Sequence, residues 1–563
     1  MNLLLMIFYY FLYLIFSFLL FIYEIYFFSD ILKQSSLNIN YLSHLSSTPF
    51  LWLNIRIIFI IFSFISILIL NNSIFNYLKL KEFIFKINSL KINKKNNDAS
   101  FNIIIGKSDK INTPVFIPEK GLYQNILITG AIGSGKTSSA MYPITKQLIS
   151  FNYCNNKMGM LILDVKGNYH SEVLKYAKLF NRENDFITIQ IGGKFKYNPL
   201  DKPNLKPLVL ANHLKTILLL FSPNNSESYW LDKCETILAE AIKLCRLYNN
   251  NYVTFIELHK IITDKNYYNS KVLILKNKFI SHKLNKKQIS DLLSALKFFE
   301  NEFYSLDDRT INILKSEITR ITNCFVSDND ISKTFCPSRS EINFKGFHDV
   351  INSGKIVVLN MNINEYKNLS RIIAAYLKLD FQTEVLSRLS SSSSNIRPVA
   401  FISDEYSEYV SATDANFFSQ SREAKCINVV STQSYTSLLN TLNNKYSVSV
   451  IVQNLVNKLW FRSDDMYTIE DAQKQIGKTD KTKISKTISE NAKETSYNLI
   501  THSLNSSGSN ISESFNTYSQ TDYIYDTNFF TRELETFTAL TFLSDGNKIF
   551  IPEKIKMLPY FKN

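Results

Sequence analysis

Residues 130–137 read Gly130-Ala131-Ile132-Gly133-Ser134-Gly135-Lys136-Thr137 and satisfy the phosphate-binding pattern G-x-x-x-x-G-K-[ST]. An apolar run, residues 125–129, ends directly before this stretch, and a segment with helical periodicity spans residues 136–150. A glycine-rich turn between a strand and a helix directs backbone N–H groups at phosphate oxygens, where the positive end of the helix dipole also lies. The sequence therefore predicts a P-loop that binds a nucleotide.

The residues predicted to hold ATP act through backbone N–H groups, hydroxyls and one cation; they are Gly130, Gly133, Ser134, Gly135, Lys136, Thr137 and Ser138. Lys136 is predicted to supply positive charge to the phosphates, and Thr137 to bind Mg²⁺ through its hydroxyl. The alternative is a glycine-rich turn without a ligand. The strand before it and the helix after it argue against that interpretation.

A second apolar run ends in two adjacent carboxylates. Residues 399–403 form a short buried strand pattern, and Asp404 and Glu405 follow it directly. Hydrolysis at a P-loop needs a carboxylate to hold Mg²⁺ and usually a second one to activate water. We therefore predict that Asp404 is the metal ligand and Glu405 the general base. The alternative is that both residues cap a surface turn.

Polar groups also end two further apolar runs. Residues 427–430 lead into Ser431-Thr432-Gln433-Ser434, and Gln433 is predicted to sense the γ-phosphate or to orient the attacking water. The alternative for Gln433 is an ordinary polar strand exit. The run at residues 161–163 leads into Asp164-Val165-Lys166-Gly167, a charged strand tip that by itself would indicate only a turn.

Apolar runs rich in Ile and Val alternate with helical segments over much of the chain. The runs are residues 125–129, 160–163, 186–191, 355–359, 399–402, 427–430 and 458–461, and the helical segments include 136–150 and 369–386. This alternation predicts an α/β domain with a mostly parallel sheet covered on both faces. Residues 207–334 instead carry Leu, Lys and Glu at helical spacing, which predicts an all-α insertion.

Residues 479–526 are rich in Ser, Thr, Asn and Lys with little periodicity, and we expect a long loop or a partly disordered excursion there. The predicted organisation has five parts. They are a membrane anchor at 1–75, the first part of the nucleotide-binding domain at 76–206, the all-α insertion at 207–334, the second part of the nucleotide-binding domain at 335–478, and a polar loop with the C-terminal segment at 479–563.

Two long apolar runs near the N-terminus predict membrane spans. Residues 3–23 carry no charge, and residues 50–70 carry only Arg56 near their first end. A signal peptide is disfavoured because no basic segment precedes the first run and no small-residue cleavage site follows it. Lysines are frequent after residue 78, which predicts an inner-membrane protein with both termini and most of the chain in the cytoplasm.

The formal net charge of +14 fits a polyanionic partner such as nucleic acid. A lysine-rich genome or the cytoplasmic bias of membrane proteins would give the same charge, so DNA binding does not follow from it alone. The six cysteines lack the spacing of a metal site or a CxxC pair. They indicate buried thiols in a reducing compartment.

The set of motifs resembles the type IV coupling proteins of bacterial conjugation and type IV secretion. The resemblance is carried, in order, by GAIGSGKT at 130–137, DVKG at 164–167, YNPL at 197–200, the helix from Trp230, SDE at 403–405, SREAK at 421–425 and STQS at 431–434. It covers roughly residues 121–477. Two departures are Asn168, where the family often has an acidic residue, and the region after Thr479, which does not align.

The resemblance implies a RecA-like motor that assembles as a homo-hexamer and uses ATP and Mg²⁺. It also implies partners: single-stranded DNA bound without sequence preference, a relaxase, and the proteins of a type IV secretion channel. Arg422 is by this resemblance a candidate catalytic residue that reaches a neighbouring subunit's nucleotide; a surface ion pair is its alternative role.

The expected function is an inner-membrane ATPase that couples hydrolysis to DNA translocation. Two alternatives are a related motor that exports protein and a translocase of the cell-division type. An ABC transporter is disfavoured because no LSGGQ-like signature lies between the P-loop and the carboxylate pair. A non-hydrolysing scaffold is disfavoured because Lys136, Thr137, Asp404 and Glu405 are all present.

Overall fold

The computed structural model describes residues 101–153, 156–164, 166–221, 228–390, 396–490, 495–500, 503–506 and 511–562. The two predicted membrane spans and the whole predicted anchor lie outside these ranges. Within them, no helix is both long enough and apolar enough to cross a bilayer.

The strands, numbered in chain order, are β1 Asn102–Ser108, β2 Pro114–Pro118, β3 Ile126–Thr129, β4 Asn152–Tyr153, β5 Asn156–Lys157, β6 Gly159–Leu163, β7 Phe186–Ile189, β8 Ile356–Leu359, β9 Val399–Ser403, β10 Cys426–Thr432, β11 Asn457–Trp460, β12 Lys478–Glu490, β13 Thr495–Asn498, β14 Ser503–Ser506, β15 Ile511–Tyr523, β16 Thr538–Phe542 and β17 Glu553–Met557. Eleven of them form one sheet in the order β2-β1-β17-β16-β11-β3-β10-β9-β6-β8-β7.

The helices are α1 Glu119–Leu122, α2 Tyr142–Ile149, α3 Tyr169–Leu179, α4 Pro207–Phe221, α5 Ser228–Tyr248, α6 Phe255–Thr263, α7 Lys265–Ile280, α8 Lys286–Phe298, α9 Asp308–Ser327, α10 Asn329–Phe335, α11 Phe347–Ser353, α12 Ile363–Ser387, α13 Asp414–Gln420, α14 Tyr435–Leu442, α15 Lys445–Asn454 and α16 Met466–Ile476. Single π-helical turns lie at Thr137–Met141, Phe299–Phe303 and Phe529–Glu533.

The large sheet has a parallel part and an antiparallel part. From β11 to β7 every neighbouring pair is parallel, whereas β2, β1, β17 and β16 pair antiparallel and extend the sheet beyond β11. Both faces of the parallel part are covered, as continuous apolar strands require. In β3, for example, Ile126 and Ile128 belong to one core cluster and Leu127 to the other. The mostly parallel α/β fold predicted from the sequence is confirmed.

The described residues between β7 and β8 form helices and loops, with no strand of the sheet among them. Their apolar faces meet in one core, where the rings of Phe255 and Phe325 stack with centroids 4.1 Å apart. Asp380 of α12 joins this region to the sheet domain. Its carboxylate accepts hydrogen bonds from the Tyr197 hydroxyl and the Lys202 ammonium, both at 2.7 Å.

The structure corrects the expectation for residues 479–526. Strands β12 and β15 pair antiparallel over thirteen residues each, in a two-stranded ribbon that runs from the Lys478–Tyr523 pair to the Glu490–Ile511 pair. The polar composition suggested a loop, but β-branched Thr and Ile recur along β12 and favour extended backbone. The pairing partner lies about twenty residues further along the chain, beyond the reach of a local pattern.

The expectation of a separate C-terminal segment is also wrong. Strand β16 pairs with β11, and β17 pairs with both β16 and β1, so both strands belong to the large sheet. The sequence does not distinguish β16 and β17 from the polar stretch before them, because each strand has only five residues. The nucleotide-binding domain therefore includes the end of the described chain.

Candidate nucleotide site

The predicted site residues meet at one edge of the parallel sheet. Strands β3, β10 and β9 are consecutive neighbours, and their registers align Thr129 with Thr432 and Val430 with Ser403. The carboxyl ends of parallel strands lie at the same edge, which is where α/β sheets bind ligands. The P-loop, the carboxylate pair and Gln433 therefore emerge side by side from positions up to 300 residues apart in the chain.

Backbone hydrogen bonds from three other segments hold the P-loop. The N–H of Ala131 donates to the carbonyl of Arg462 at 2.7 Å, and the N–H of Gly130 donates to the carbonyl of Gln433 at 3.2 Å. On the other side, Phe537 donates its N–H to the carbonyl of Ser134 at 3.1 Å. The Ser134 hydroxyl is buried and donates within the loop to Ala131.

Space or conformation favours glycine at three positions of the loop. Gly135 has φ +96°, and a Cβ there would lie 2.5 Å from a ring carbon of Phe537. Gly133 has φ +76°, but nothing lies near the position of its missing Cβ. A Cβ on Gly130 would approach that of Phe461 to 2.5 Å. Only glycine meets both demands at position 135.

Lys136 lies within the loop and is only 7% exposed. Its ammonium donates to the carbonyl of Gly130 and, at 3.2 Å, to that of Ala131. Burial lowers the pKa of Lys136, and the carboxylates of Glu405 and Asp404 act against that shift. The ammonium is therefore held at the centre of the glycine-rich turn and faces negative charge from the neighbouring strand tip.

Thr137 and Asp404 make the contact that a shared Mg²⁺ ligand pair requires. The Thr137 hydroxyl donates to Asp404 Oδ2 at 2.9 Å, although the residues are 267 positions apart. Asp404 is 1% exposed, and its other oxygen accepts from the Ser431 hydroxyl and from the N–H of Glu405. One hydroxyl and one carboxylate beside a phosphate-binding loop are an oxygen donor set that suits Mg²⁺.

Glu405 follows Asp404 in a left-handed conformation with φ +48°. Its carboxylate accepts from the Lys166 ammonium at 3.2 Å and from the Gln433 amide at 3.4 Å. A positive φ is uncommon for a residue other than glycine and asparagine, and here it belongs to a residue whose side chain is held by two hydrogen bonds at the site. Glu405 and Gln433, predicted independently from two strand tips, are thus in contact.

Asp164 has a different function from the other carboxylates at this edge. It accepts hydrogen bonds at 3.0 Å from the backbone N–H groups of Lys166, Asn168 and Tyr169, which turns the chain into α3. Burial raises the pKa of Asp164, while these hydrogen bonds oppose the increase. Both carboxylate oxygens of Asp164 accept hydrogen bonds within the turn, and the turn places Lys166 within hydrogen-bond distance of Glu405.

Lys166 is a site residue that the sequence did not single out. Burial alone would lower its pKa, but the carboxylates of Asp404 and Glu405 and the hydrogen bond to Glu405 raise it. Its ammonium remains protonated beside the two acids. The available signal was its position in the charged segment that follows a buried strand, which a surface turn shares. Ser431, the other residue missed, had the same signal.

A buried ion pair fixes the turn that follows Glu405. Lys378 of α12 donates to Asp414 at 2.6 Å, to the carbonyl of Tyr409 at 2.6 Å and to the Ser411 hydroxyl at 3.0 Å. Lys378 is 0% exposed, and burial lowers its pKa against the effect of Asp414. Asp414 also accepts from the hydroxyl of Tyr406, the residue after Glu405.

The remaining predicted residues lie as follows. The hydroxyl of Ser138 donates back to the carbonyl of Gly135 at 3.3 Å, at the start of the π-helical turn that precedes α2. Arg422 is exposed, and its guanidinium donates to the carbonyl of Gly546 at 3.3 Å. This hydrogen bond joins Arg422 to the antiparallel part of the sheet and not to the P-loop of its own chain.

No protein-family model and no curated protein matches the chain. Solved structures do. The bacterial conjugative coupling protein TrwBdeltaN70, in a trigonal form with sulphate, is 12% identical over 81% of this chain and 96% of its own, with a TM-score of 0.53. The chain has the fold of TrwB. The predicted resemblance to coupling proteins is thereby confirmed at the level of the fold.

Two further TrwB structures contain nucleotides. The plasmid coupling protein TrwB in complex with ADP and Mg²⁺ is 12% identical over 82% of this chain and 95% of its own, with a TM-score of 0.52. TrwB in complex with the ATP analogue ADPNP is 13% identical over 81% of this chain and 89% of its own, with a TM-score of 0.51. TrwB thus binds nucleotide and Mg²⁺ on the fold described above.

Proposed function

We propose that this chain is an ATPase that couples hydrolysis to the translocation of single-stranded DNA, with its relaxase, into a type IV secretion channel. The observation that carries the proposal is the 2.9 Å contact between Thr137 of the P-loop and Asp404 of the neighbouring strand tip. The fold of TrwB, a bacterial conjugative coupling protein, supports the choice of cargo.

The proposed roles follow from charge and position. ATP and Mg²⁺, when bound, supply the scissile phosphoanhydride bond and neutralise its phosphates. Lys136 adds positive charge at the phosphates, and Thr137 and Asp404 bind the metal ion. Glu405 takes a proton from the attacking water. Lys166 donates a hydrogen bond to the Glu405 carboxylate and holds it in place, and Gln433 orients the water through its contact with Glu405.

The proposal includes an assembly and a location. The sequence runs at 3–23 and 50–70 support an inner-membrane anchor with both termini and the main domain in the cytoplasm. A homo-hexamer follows from the family resemblance. The exposed Arg422, whose hydrogen bond to Gly546 lies outside its own P-loop, supports a role at a neighbouring subunit's nucleotide.

The test measures ATP turnover by the purified full-length protein, with and without single-stranded DNA of mixed sequence. We expect DNA to stimulate turnover, and stimulation to fall steeply with salt because phosphate contacts release counterions. Lys136→Ala should reduce turnover by about 100-fold or more, because the phosphates lose their nearest charge. Lys110→Ala removes an exposed lysine and is the matched control.

Two results would contradict the proposal. Turnover that survives in Lys136→Ala would refute the site. Normal turnover in the parent protein that no DNA stimulates would refute the cargo and favour the alternative of a protein exporter.

A further inference from the structure

A partly open cavity of about 390 Å³ lies against the sheet next to the P-loop strand. Its walls come from α14, α15 and α16, and its floor from β11 and β16. The volume falls within the range of about 300–1,000 Å³ that is common for small-ligand sites. None of the residues placed in the nucleotide site lines this cavity.

The lysine on the floor of the cavity lacks a polar partner. Lys458 of β11 is 3% exposed, and within the described part of the chain its ammonium forms no hydrogen bond and no ion pair. Its Nζ lies 5.7 Å from the ring centroid of Phe542, which also lines the cavity. A lysine ammonium with no acceptor of its own can bind a negative charge that enters the cavity.

The alternation of β11 explains how a lysine comes to line this space. Leu459 points into the core cluster on the opposite face of the sheet, so Lys458 and Trp460 share the face covered by α14 to α16. The Trp460 indole donates to the Tyr435 hydroxyl at 3.3 Å, which satisfies those two polar groups. The Lys458 ammonium is left without a hydrogen-bond acceptor among the described residues.

The other lining groups limit what can bind. Val452, Val456 and Phe542 make the walls largely apolar, so the ligand needs an apolar body. Asp471 also lines the cavity and would repel a polyanion, and Lys458 is the one cation among the described lining residues. One negative charge on an apolar body fits this arrangement.

We propose that this cavity is a binding site for a small monocarboxylate with an aromatic or branched apolar body, held by the Lys458 ammonium. The site is independent of the proposed motor function. The carboxylate accepts from Nζ, and the body replaces water against Val452, Val456 and the Phe542 ring.

The protonation of Lys458 gives the proposal a second readout. Burial lowers the pKa of Lys458 to about 8, and Asp471 acts against that shift. The other titratable groups that line the cavity are Tyr435, Tyr467 and Asp471. Burial raises the pKa of Tyr435 above its ordinary value, so Tyr435 gains no charge between pH 7 and pH 9. Burial also raises the pKa of Asp471, and Lys458 acts against that shift. An anion binds the protonated amine, so its affinity should decrease as the pH rises through about 8.

The test uses benzoate as the probe and isothermal titration calorimetry on the full-length protein. We expect benzoate to bind, and benzamide, which has the same shape without the charge, to bind at least about tenfold more weakly. Benzoate affinity should fall by roughly tenfold between pH 7 and pH 9, with proton uptake on binding near pH 8.5. Lys458→Met keeps the length of the side chain and should weaken benzoate binding by about tenfold or more.

Two further variants keep the test decisive. Lys474→Met removes an exposed lysine from the same wall helix, α16, and should leave binding unchanged. Val456→Phe fills the cavity and should abolish binding while retaining Lys458, which covers the case in which Lys458→Met does not fold.

Three results would overturn the proposal. They are equal binding of benzoate and benzamide, unchanged affinity in Lys458→Met and Val456→Phe, and loss of self-association in Lys458→Met without any benzoate binding to the parent protein. The last result would identify the cavity as an interface between copies of the chain.

Discussion

The parallel and antiparallel parts of the large sheet make different contributions to the nucleotide site. The parallel part ends in the charged groups, because β3, β9 and β10 bring Lys136, Asp404 and Glu405 to one edge. The antiparallel part contributes no candidate catalytic group, yet Phe537, directly before β16, holds the P-loop through Ser134 and lies behind Gly135. The parallel part of the sheet supplies the charged groups of the site, and the antiparallel part fixes the shape of the P-loop.

The largest effect is expected from Glu405→Gln, which tests whether the chemistry is confined to the parallel part. The amide cannot take a proton from water, so kcat for ATP should fall by about 100-fold to 10,000-fold while nucleotide binding is retained. Steady-state hydrolysis and nucleotide titration measure the two properties. Glu423→Gln, at an exposed position, is the control; unchanged turnover in Glu405→Gln would move water activation to another residue.

Lys378→Met is expected to lower the free energy of unfolding by about 3–5 kcal/mol, because it leaves Asp414 buried without its cation. Denaturant unfolding measures this change, and kcat should fall more than nucleotide affinity because the turn after Glu405 loosens. Lys175→Met breaks an exposed pair and serves as the control. Adding Asp414→Asn should recover part of the lost stability; a double variant as unstable as the sum of the single variants would contradict the pairing.

Gly135→Ala tests whether the antiparallel part shapes the loop. Its Cβ would overlap the Phe537 ring and its φ is +96°, so nucleotide affinity should fall by about tenfold or more. Gly133→Ala is the matched control, because Gly133 also has a positive φ of +76° but nothing lies near the position of its missing Cβ. Phe537→Ala in the Gly135→Ala background should restore part of the affinity. Equal losses of nucleotide affinity in Gly135→Ala and Gly133→Ala would mean that the positive φ, and not the contact with Phe537, causes the loss.

The smallest effect is expected in the ribbon, which lies outside both parts of the sheet. Lys486 of β12 and Glu513 of β15 pair at 2.9 Å, and both side chains are 45% exposed. Solvent screens such a pair, so Lys486→Ala should change the free energy of unfolding by less than about 1 kcal/mol. A larger loss in thermal or denaturant unfolding would show that the ribbon packs against something more than solvent.

The sequence predicted the parallel part and its site because their signals are local. A glycine pattern after an apolar run, and a carboxylate pair after another, are each complete within about ten residues. The partners that hold those groups are not local. Lys166 meets Glu405 across 239 positions, and Phe537 meets Ser134 across 403 positions (537 − 134), so no short pattern could indicate either contact.

The antiparallel strands and the ribbon also depend on partners that are distant in the sequence. Strand β17 pairs with β1 from the opposite end of the described chain, and five residues of ordinary composition do not identify a partner. The thirteen paired residues of β12 have Lys and Thr as their commonest types, which fit a loop as well as an exposed strand. The polar composition of β12 indicates only that the segment is exposed to solvent. Its extended backbone conformation is specified by the pairing with β15.

Helix α12 has one consequence for how the molecule can move. Lys378 and Asp380 are two positions apart and therefore lie on nearly opposite sides of the helix. One is tied to the turn after Glu405, and the other to Tyr197 and Lys202 at the base of the helical region. As long as both sets of contacts hold, a displacement of that turn is transmitted through α12 to the helical region.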